Sequence, residues 1–233
     1  MLKFNPQNLS NLMDNKWEGV IERDLPSRPE FIKEANKITY TRVAGQFLGS
    51  FADEDDMKEY LYMIGRESRY DWEMLFQGMP KVIDAKKRDE VLKVIQIHRE
   101  NPLSINRFMA FFYAADLFPL KNTPYDSHYR ETFKRWLQLL EQRFPNLKAS
   151  KLQRFLLDMI KWSEYYFKRW VKQEPFETKM PRILWYGEAK ESEAYFLYFL
   201  YLFGCDIVIF QPSGENIFEI YNIKDFPRRS QGK

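Results

Sequence analysis

The chain has 233 residues, 45% of them hydrophobic and 17% aromatic, so it can bury a core without disulfides or a metal. A net charge of +3, from 36 basic and 33 acidic side chains, argues against a protein-wide field for nucleic acid or membranes. The single Cys205 excludes an intramolecular disulfide and a thiolate zinc cluster, and only two histidines are present, so we expect no metal site.

We expect no secretory signal at the N-terminus and no membrane span in the chain. The N-terminal segment lacks a basic start followed by an unbroken apolar run, and the most apolar window of the chain, residues 194–210, is interrupted by Gly204 and Asp206. These features predict a cytoplasmic protein. Residues 1–37 are rich in Asn, Pro and charge, which predicts an arm laid over the domain. Residues 38–44 fit either a strand or the start of a helix.

About five helices are predicted in the middle of the chain. Their signals are an N-cap at Asp53, an apolar run over 83–99, an N-cap at Ser104, Pro124 at a first turn and an N-cap at Ser150. The third, 104–118, is apolar nearly all round, which predicts a central buried helix. The fourth and fifth are amphipathic and are expected to pack as a hairpin across Pro145-Asn146.

After Pro175 the hydrophobic period changes. Residues 182–187 and 206–210 read as strands, with a helix over 191–203 between them, and this order predicts a parallel pair. Residues 218–221 are a possible third strand. The predicted fold is α+β and predominantly helical, with the helices packed on a small C-terminal strand–helix–strand (Rossmann-like) unit. The predicted division is a helical region with its N-terminal arm over 1–175, and an α/β unit over 176–233.

The two predicted strands should end at the same edge of the sheet, where open α/β proteins bind their ligands. Glycines at these ends would let a ligand approach the backbone, and Glu188 with Lys190 could act as an acid–base or ribose-binding pair. The candidate ligand-binding residues are Tyr186, Gly187, Glu188, Lys190, Gln211, Ser213 and Gly214.

Other interpretations of these strand ends stay open. Neither the dinucleotide-binding pattern G-x-G-x-x-G nor the triphosphate-binding pattern G-x-x-x-x-G-K-[ST] is present. Glu188 and Glu191 also put negative charge where a phosphate would bind. The glycines could be turn residues alone, and exposed Glu and Lys after a strand are common. No catalytic residue and no cofactor can be assigned from the pattern.

Five further features have simpler structural interpretations. His98 fits the C-terminus of a helix, His128 lacks an evident partner carboxylate, and Cys205 fits a small buried packing residue. The acidic run that begins at Asp53 lacks the spacing of a calcium loop. Residues 128–174 hold eleven basic and five acidic side chains interleaved with aromatics, which fits a solvated helix face better than nucleic-acid binding.

Two segments resemble the bacterial YceG-like family. One is Pro181-Arg-Ile-Leu-Trp-Tyr-Gly-Glu-Ala-Lys followed by Phe196 to Gly214, and the other is Tyr40-Thr-Arg-Val-Ala-Gly-Gln-Phe-Leu-Gly followed by Glu59-Tyr-Leu. The resemblance implies a component of stress- and tellurite-resistance gene clusters, in a biosynthetic module with nucleotide-handling enzymes. It transfers no catalytic residues. Members are often longer, so this chain is expected to be the N-terminal part of a larger protein.

Three functions follow as hypotheses. The first is a cytosolic component of such a stress-response module, holding a nucleotide- or sugar-phosphate-like ligand at the strand ends, with protein partners from the same module. The second is a non-enzymatic module that docks a partner through its aromatic and basic helices. The third, which has less support, is RNA binding through residues 128–174.

Overall fold

The computed structural model describes residues 2–8, 31–49, 54–66, 72–144, 149–223, 226 and 229–230. The chain divides into two compact units. A helical unit comprises Met79–Pro175 with Met1–Lys3, and a sheet unit comprises Phe4–Gly78 with Phe176–Lys233. The predicted arm falls partly on residues 9–30, and the Asp53 cap also lies outside the described residues.

The described ranges contain eight strands and seven α-helices. The strands are β1 (Lys3–Asn8), β2 (Ile32–Glu34), β3 (Lys37–Arg42), β4 (Ala44–Leu48), β5 (Trp72–Met74), β6 (Arg182–Tyr186), β7 (Asp206–Gln211) and β8 (Arg229–Ser230). The helices are α1 (Glu54–Arg66), α2 (Ala85–Glu100), α3 (Ile105–Ala114), α4 (Asp126–Arg143), α5 (Ala149–Gln173), α6 (Glu191–Phe203) and α7 (Ile217–Ile220), with a 3₁₀ turn at Leu75–Gln77. None of these helices is long and apolar enough to cross a membrane.

A parallel sheet forms the centre of the sheet unit. In the described residues its strand order is β5-β6-β7-β4-β8, and each neighbouring pair is parallel. The prediction that β6 and β7 are adjacent and parallel with α6 between them is confirmed, with Leu184 opposite Val208. The expectation of only two or three strands is wrong, because β4 and β5 from the N-terminal half join the same sheet.

The three central strands of this sheet, β6, β7 and β4, are mostly buried. Along β7 all six residues are buried, as expected for a parallel strand covered by helices on both sides. On one face, Phe47, Val208 and Phe210 form a core with Leu61 and Ile64 of α1. The helix α6 is not part of this core. It is buried nearly all round, which explains its unbroken apolar sequence.

A second, smaller sheet contacts the end of α6. It has three strands in the order β1-β3-β2. Of residues 38–44, left open between strand and helix, 38–42 belong to β3 and Ala44 begins β4, with Val43 between the two strands. From β3, Tyr40 donates a hydrogen bond to the Gly204 carbonyl at 3.0 Å, and Arg42 donates to the Tyr201 carbonyl and lies over the Tyr201 ring. The N-terminal strands therefore group with 176–233 by their contacts, whereas the sequence placed them with the helices.

The helical unit is built from α2 to α5. Asp84 and Ser104 accept hydrogen bonds from the first-turn amides of α2 and α3, as N-caps do. The apolar face predicted for α4 is buried throughout and consists of Tyr129, Phe133, Trp136, Leu137 and Leu140. Its Tyr129 contacts Phe167 of α5, with the ring centroids 5.3 Å apart. Helices α4 and α5 thus touch through aromatic side chains. Their connection at 145–148 lies outside the described residues.

Two predicted elements differ from the structure. The third helix ends at Ala114 and buries only Phe108 and Phe112, while Phe111 is 38% exposed, so it is not a central helix. Residues 217–220 form the short helix α7 instead of a strand. Asn216 causes this difference, because its side chain accepts hydrogen bonds from the amides of Phe218 and Glu219 and so caps a helical turn.

Candidate functional site

Three neighbouring parallel strands, β6, β7 and β4, end in glycines at one edge of the sheet. Gly187, Gly214 and Gly49 have φ angles of +88°, +76° and +127°, which side chains other than glycine rarely adopt. The amides of Gly49 and Gly214 both donate to the Gln211 carbonyl at 3.1 Å. The sequence predicted two of these turns. The third, at Gly49, comes from β4.

The turn at Gly187 is held by side chains as well as backbone. Its amide donates to the Phe210 carbonyl at 2.9 Å, while its own carbonyl accepts from Gln211 Nε2 at 2.7 Å and from Trp185 Nε1 at 2.9 Å. Gln211 is buried and engaged in this bond. Among the candidate residues, Gln211 therefore serves to order the turn at Gly187.

The described atoms leave space around two of the three glycines at this edge. A β-carbon built on Gly187 or Gly49 would meet no atom within 4 Å in the described part of the chain. On Gly214 it would lie 4.0 Å from the Gly49 Cα, so the turns after β7 and β4 are in contact. No described side chain therefore fills the space next to the Cα atoms of Gly187 and Gly49.

Three polar side chains of the candidate set are exposed to solvent at the same edge. Glu188, Lys190 and Ser213 are exposed, and Ser213 Oγ accepts from the Glu215 amide at 3.3 Å. Residues 186 and 210 are register partners on strands about 4.8 Å apart, so the turns that follow them start side by side. Tyr186 instead packs against the α1-side core, with its ring 6.0 Å from that of Phe76.

The N-terminus of α6 is already occupied by the chain's own carboxylate. Glu193 accepts a hydrogen bond from the Lys190 amide at 2.7 Å, and Glu191 adds a second negative charge in the first turn. These charges satisfy the helix dipole. A phosphate bound at this edge would therefore be met by Lys190 and the glycine turns, and not by the helix end.

A buried ionic cluster lies at the opposite, amino end of the sheet. Asp206, fully buried, accepts from the Val43 amide at 2.9 Å and lies 3.9 Å from Arg182 Nε. Burial lowers the pKa of the nearby Arg42, while it raises the pKa of the neighbouring Cys205 thiol far above its usual range. Cys205 is thus a buried packing residue, as predicted.

The remaining candidates lie in the helical unit. His98 is in the last turn of α2, where its Nδ1 accepts from the Leu103 amide at 3.0 Å, and His128 is buried on α4. The aromatics interleaved with basic residues on α5 (Trp162, Tyr166 and Trp170) are buried, and Tyr165 is 50% exposed. Among the residues that the structure describes, no group of three or more His, Cys, Asp or Glu could hold a metal.

Sequence reasoning missed Gly49 as part of the edge and Gln46 as a buried polar residue. Gln46 lies on β4 opposite Ile209, 1% exposed, and neither atom of its amide has a hydrogen-bond partner in the described residues. The available signal for Gly49 was its position in the Tyr40–Gly49 segment quoted for the family resemblance. No local pattern distinguishes Gln46 from an exposed strand glutamine.

Comparison with known proteins places these features in a family. The profile described as the YceG domain matches residues 12–230. An uncharacterised protein YceG of Bacillus subtilis (strain 168) is 30% identical over 204 residues, which cover 86% of this chain and 37% of that protein. The chain therefore spans about two fifths of the length of the curated relative it matches. No solved structure matches it.

Proposed function

The chain belongs to the YceG domain family, and from this premise we propose that it binds a small phosphorylated ligand, a nucleotide or sugar phosphate, at the carboxyl edge of its parallel sheet. One observation carries the proposal. Adjacent strands β6, β7 and β4 are each followed within three residues by a glycine of positive φ, and at two of these glycines no described atom lies within 4 Å of a built β-carbon. Ligands of open parallel sheets bind at this edge because the connecting loops leave the backbone accessible there.

The side chains at the edge suit a ligand with both a phosphate and hydroxyl groups. Lys190 supplies an exposed cation for the phosphate, and Glu188 supplies an acceptor for sugar hydroxyls. Ser213 can donate and accept on the neighbouring turn. Since the end of α6 is capped by Glu193, the phosphate interaction depends on Lys190 and should weaken in salt.

We place this binding role in a bacterial, cytoplasmic stress-response module of the tellurite-resistance type, whose other members would be its protein partners. The support for this context is the family resemblance alone. The docking alternative has lost part of its motivation, because most aromatics of the basic helix face are in the core.

Thermal unfolding of the parent protein with AMP, UMP, ribose 5-phosphate and glucose 6-phosphate tests the proposal. A ligand at about 100 times its dissociation constant should stabilise the protein by about 2.7 kcal/mol. Lys190→Ala and Glu188→Ala should reduce that shift, while changing the stability of the free protein by no more than about 0.5 kcal/mol.

The matched controls are Lys86→Ala and Glu100→Ala, which replace exposed residues of α2 in the helical unit. These variants should keep the full shift. If none of the four compounds raises the unfolding temperature, or if the edge variants respond like the controls, the ligand site is not at this edge.

A further inference from the structure

The helical unit contains a cavity of about 530 Å³ that the sheet-edge proposal does not use. It lies where α2 and α4 end and α3 and α5 begin. Its volume falls within the range of about 300–1,000 Å³ typical of small-molecule sites. The lining is mainly apolar and consists of Ile95, Pro102, Leu103, Ile105, Phe108, Leu137, Leu140, Phe144 and Leu152.

Three polar side chains, His98, Arg99 and Glu141, complete the lining. The hydrogen bonding of His98 determines which of its ring nitrogens is the donor. Because His98 Nδ1 accepts from the Leu103 amide at 3.0 Å, the neutral imidazole carries its proton on Nε2. The ring stands perpendicular to Phe108, 5.5 Å between centroids, so its orientation is fixed from both sides. The His98 Nε2–H is therefore a positioned hydrogen-bond donor.

The other two polar groups carry opposite charges. Arg99 lies in the last turn of α2 and Glu141 in the last turn of α4, and both are exposed. Within the described part of the chain, neither has an ion pair or a hydrogen bond to a side chain. The cavity thus combines a mainly apolar lining with a cation and an anion that have no side-chain partner among the described residues.

We propose that this cavity binds an apolar zwitterion, an amino acid or dipeptide with bulky hydrophobic side chains. The carboxylate of the ligand pairs with Arg99 and accepts from His98, the ammonium group pairs with Glu141, and the apolar side chains occupy the interior. A fatty carboxylate fits the charges less well. Its carboxylate could pair with Arg99, but it has no cation to pair with Glu141, which lines the same cavity. An uncharged apolar compound would use neither rim charge.

Calorimetric titration of the whole protein with the dipeptide Leu-Phe tests this site. We expect binding with a negative heat-capacity change, since apolar surface is buried. N-acetyl-Leu-Phe-amide and decanoate should each bind at least about fivefold more weakly, the loss expected for one partly exposed charge pair. Arg99→Gln and Glu141→Gln should each weaken Leu-Phe binding by a similar factor.

Two charged residues outside the lining, one exposed and one half-buried, serve as matched controls. Arg135→Gln lies on α4 and Glu90→Gln on α2, and neither should change the affinity for Leu-Phe. Ile105→Trp, which adds bulk to the lining at a half-buried position, should abolish binding while the helical circular dichroism is retained. The proposal is overturned if Leu-Phe does not bind, if decanoate binds as tightly, or if the Gln variants at 99 and 141 behave like the controls.

Discussion

The packing around Gly204, at the end of α6, leaves no room for a side chain at this position. Gly204 has a φ of +112°, and a β-carbon there would lie 1.9 Å from the Tyr40 hydroxyl. That hydroxyl donates to the Gly204 carbonyl at 3.0 Å, and the Tyr40 ring is buried and stacked on Phe31 at 4.6 Å. The tyrosine therefore has little freedom to move away.

We expect Gly204→Ala to destabilise the protein by about 3 kcal/mol. This value combines the cost of a positive φ for alanine with the cost of the clash between its methyl group and Tyr40. Gly187→Ala is the matched control, because it has the same kind of positive φ but open space around the new methyl group, and it should cost about 1 kcal/mol. Urea unfolding measures both. In a Tyr40→Phe background the cost of Gly204→Ala should fall. Equal costs for the two glycine variants would contradict this account.

At the scale of elements, Asp206 connects three strands of the sheet unit. It starts β7, accepts from the Val43 amide in the bend between β3 and β4, and lies near Arg182, the first residue of β6. Removing one partner of a buried ionic cluster is expensive, because the other charges stay buried without compensation.

Asp206→Ala should therefore lower the free energy of unfolding by about 3–5 kcal/mol. Asp206→Asn keeps an acceptor for the Val43 amide and should lose less. Exposed Asp89 on α2 provides the control, and Asp89→Ala should change stability by no more than about 0.5 kcal/mol. Chemical denaturation of the three variants would refute the cluster's role if Asp206→Ala matched Asp89→Ala.

At the scale of the whole molecule, the sequence of the helical unit interrupts the sequence of the sheet unit. The chain leaves the sheet after β5, forms α2 to α5, and returns to the sheet at β6, the strand next to β5. The helical unit has an aromatic core, in which side chains from α3 to α5 and the α3–α4 connection contact one another: Phe112, Phe118, Tyr129, Phe133 and Phe167.

We expect residues 79–175, expressed alone, to fold into a helical domain with a cooperative thermal transition. A domain of this length can support its own core. Circular dichroism during heating measures the transition, and Phe133→Ala should lower its midpoint or abolish it, because the cavity left by a buried Phe costs about 3–5 kcal/mol. A fragment that shows no cooperative transition would mean that this core depends on the rest of the chain.

The local sequence was enough to predict β6, α6 and β7. Pro181, Gly204 and Pro212 delimit these elements, and their hydrophobic patterns are long and regular. The same reasoning found the buried stripe of α4 and the turns at Gly187 and Gly214, because each of these depends on residues close together in the chain.

The membership of β4 and β5 in the sheet was decided only by tertiary structure. β4 begins Ala-Gly and β5 has three residues, so neither has a strong strand pattern of its own. Their stability comes from pairing with β7 and β6, which lie more than 100 residues away in sequence. That pairing brings Gly49 beside Gly214, and it turns two predicted strand ends into an edge formed by three. A local pattern cannot reveal this edge, because the hydrogen bonds that build it join distant segments.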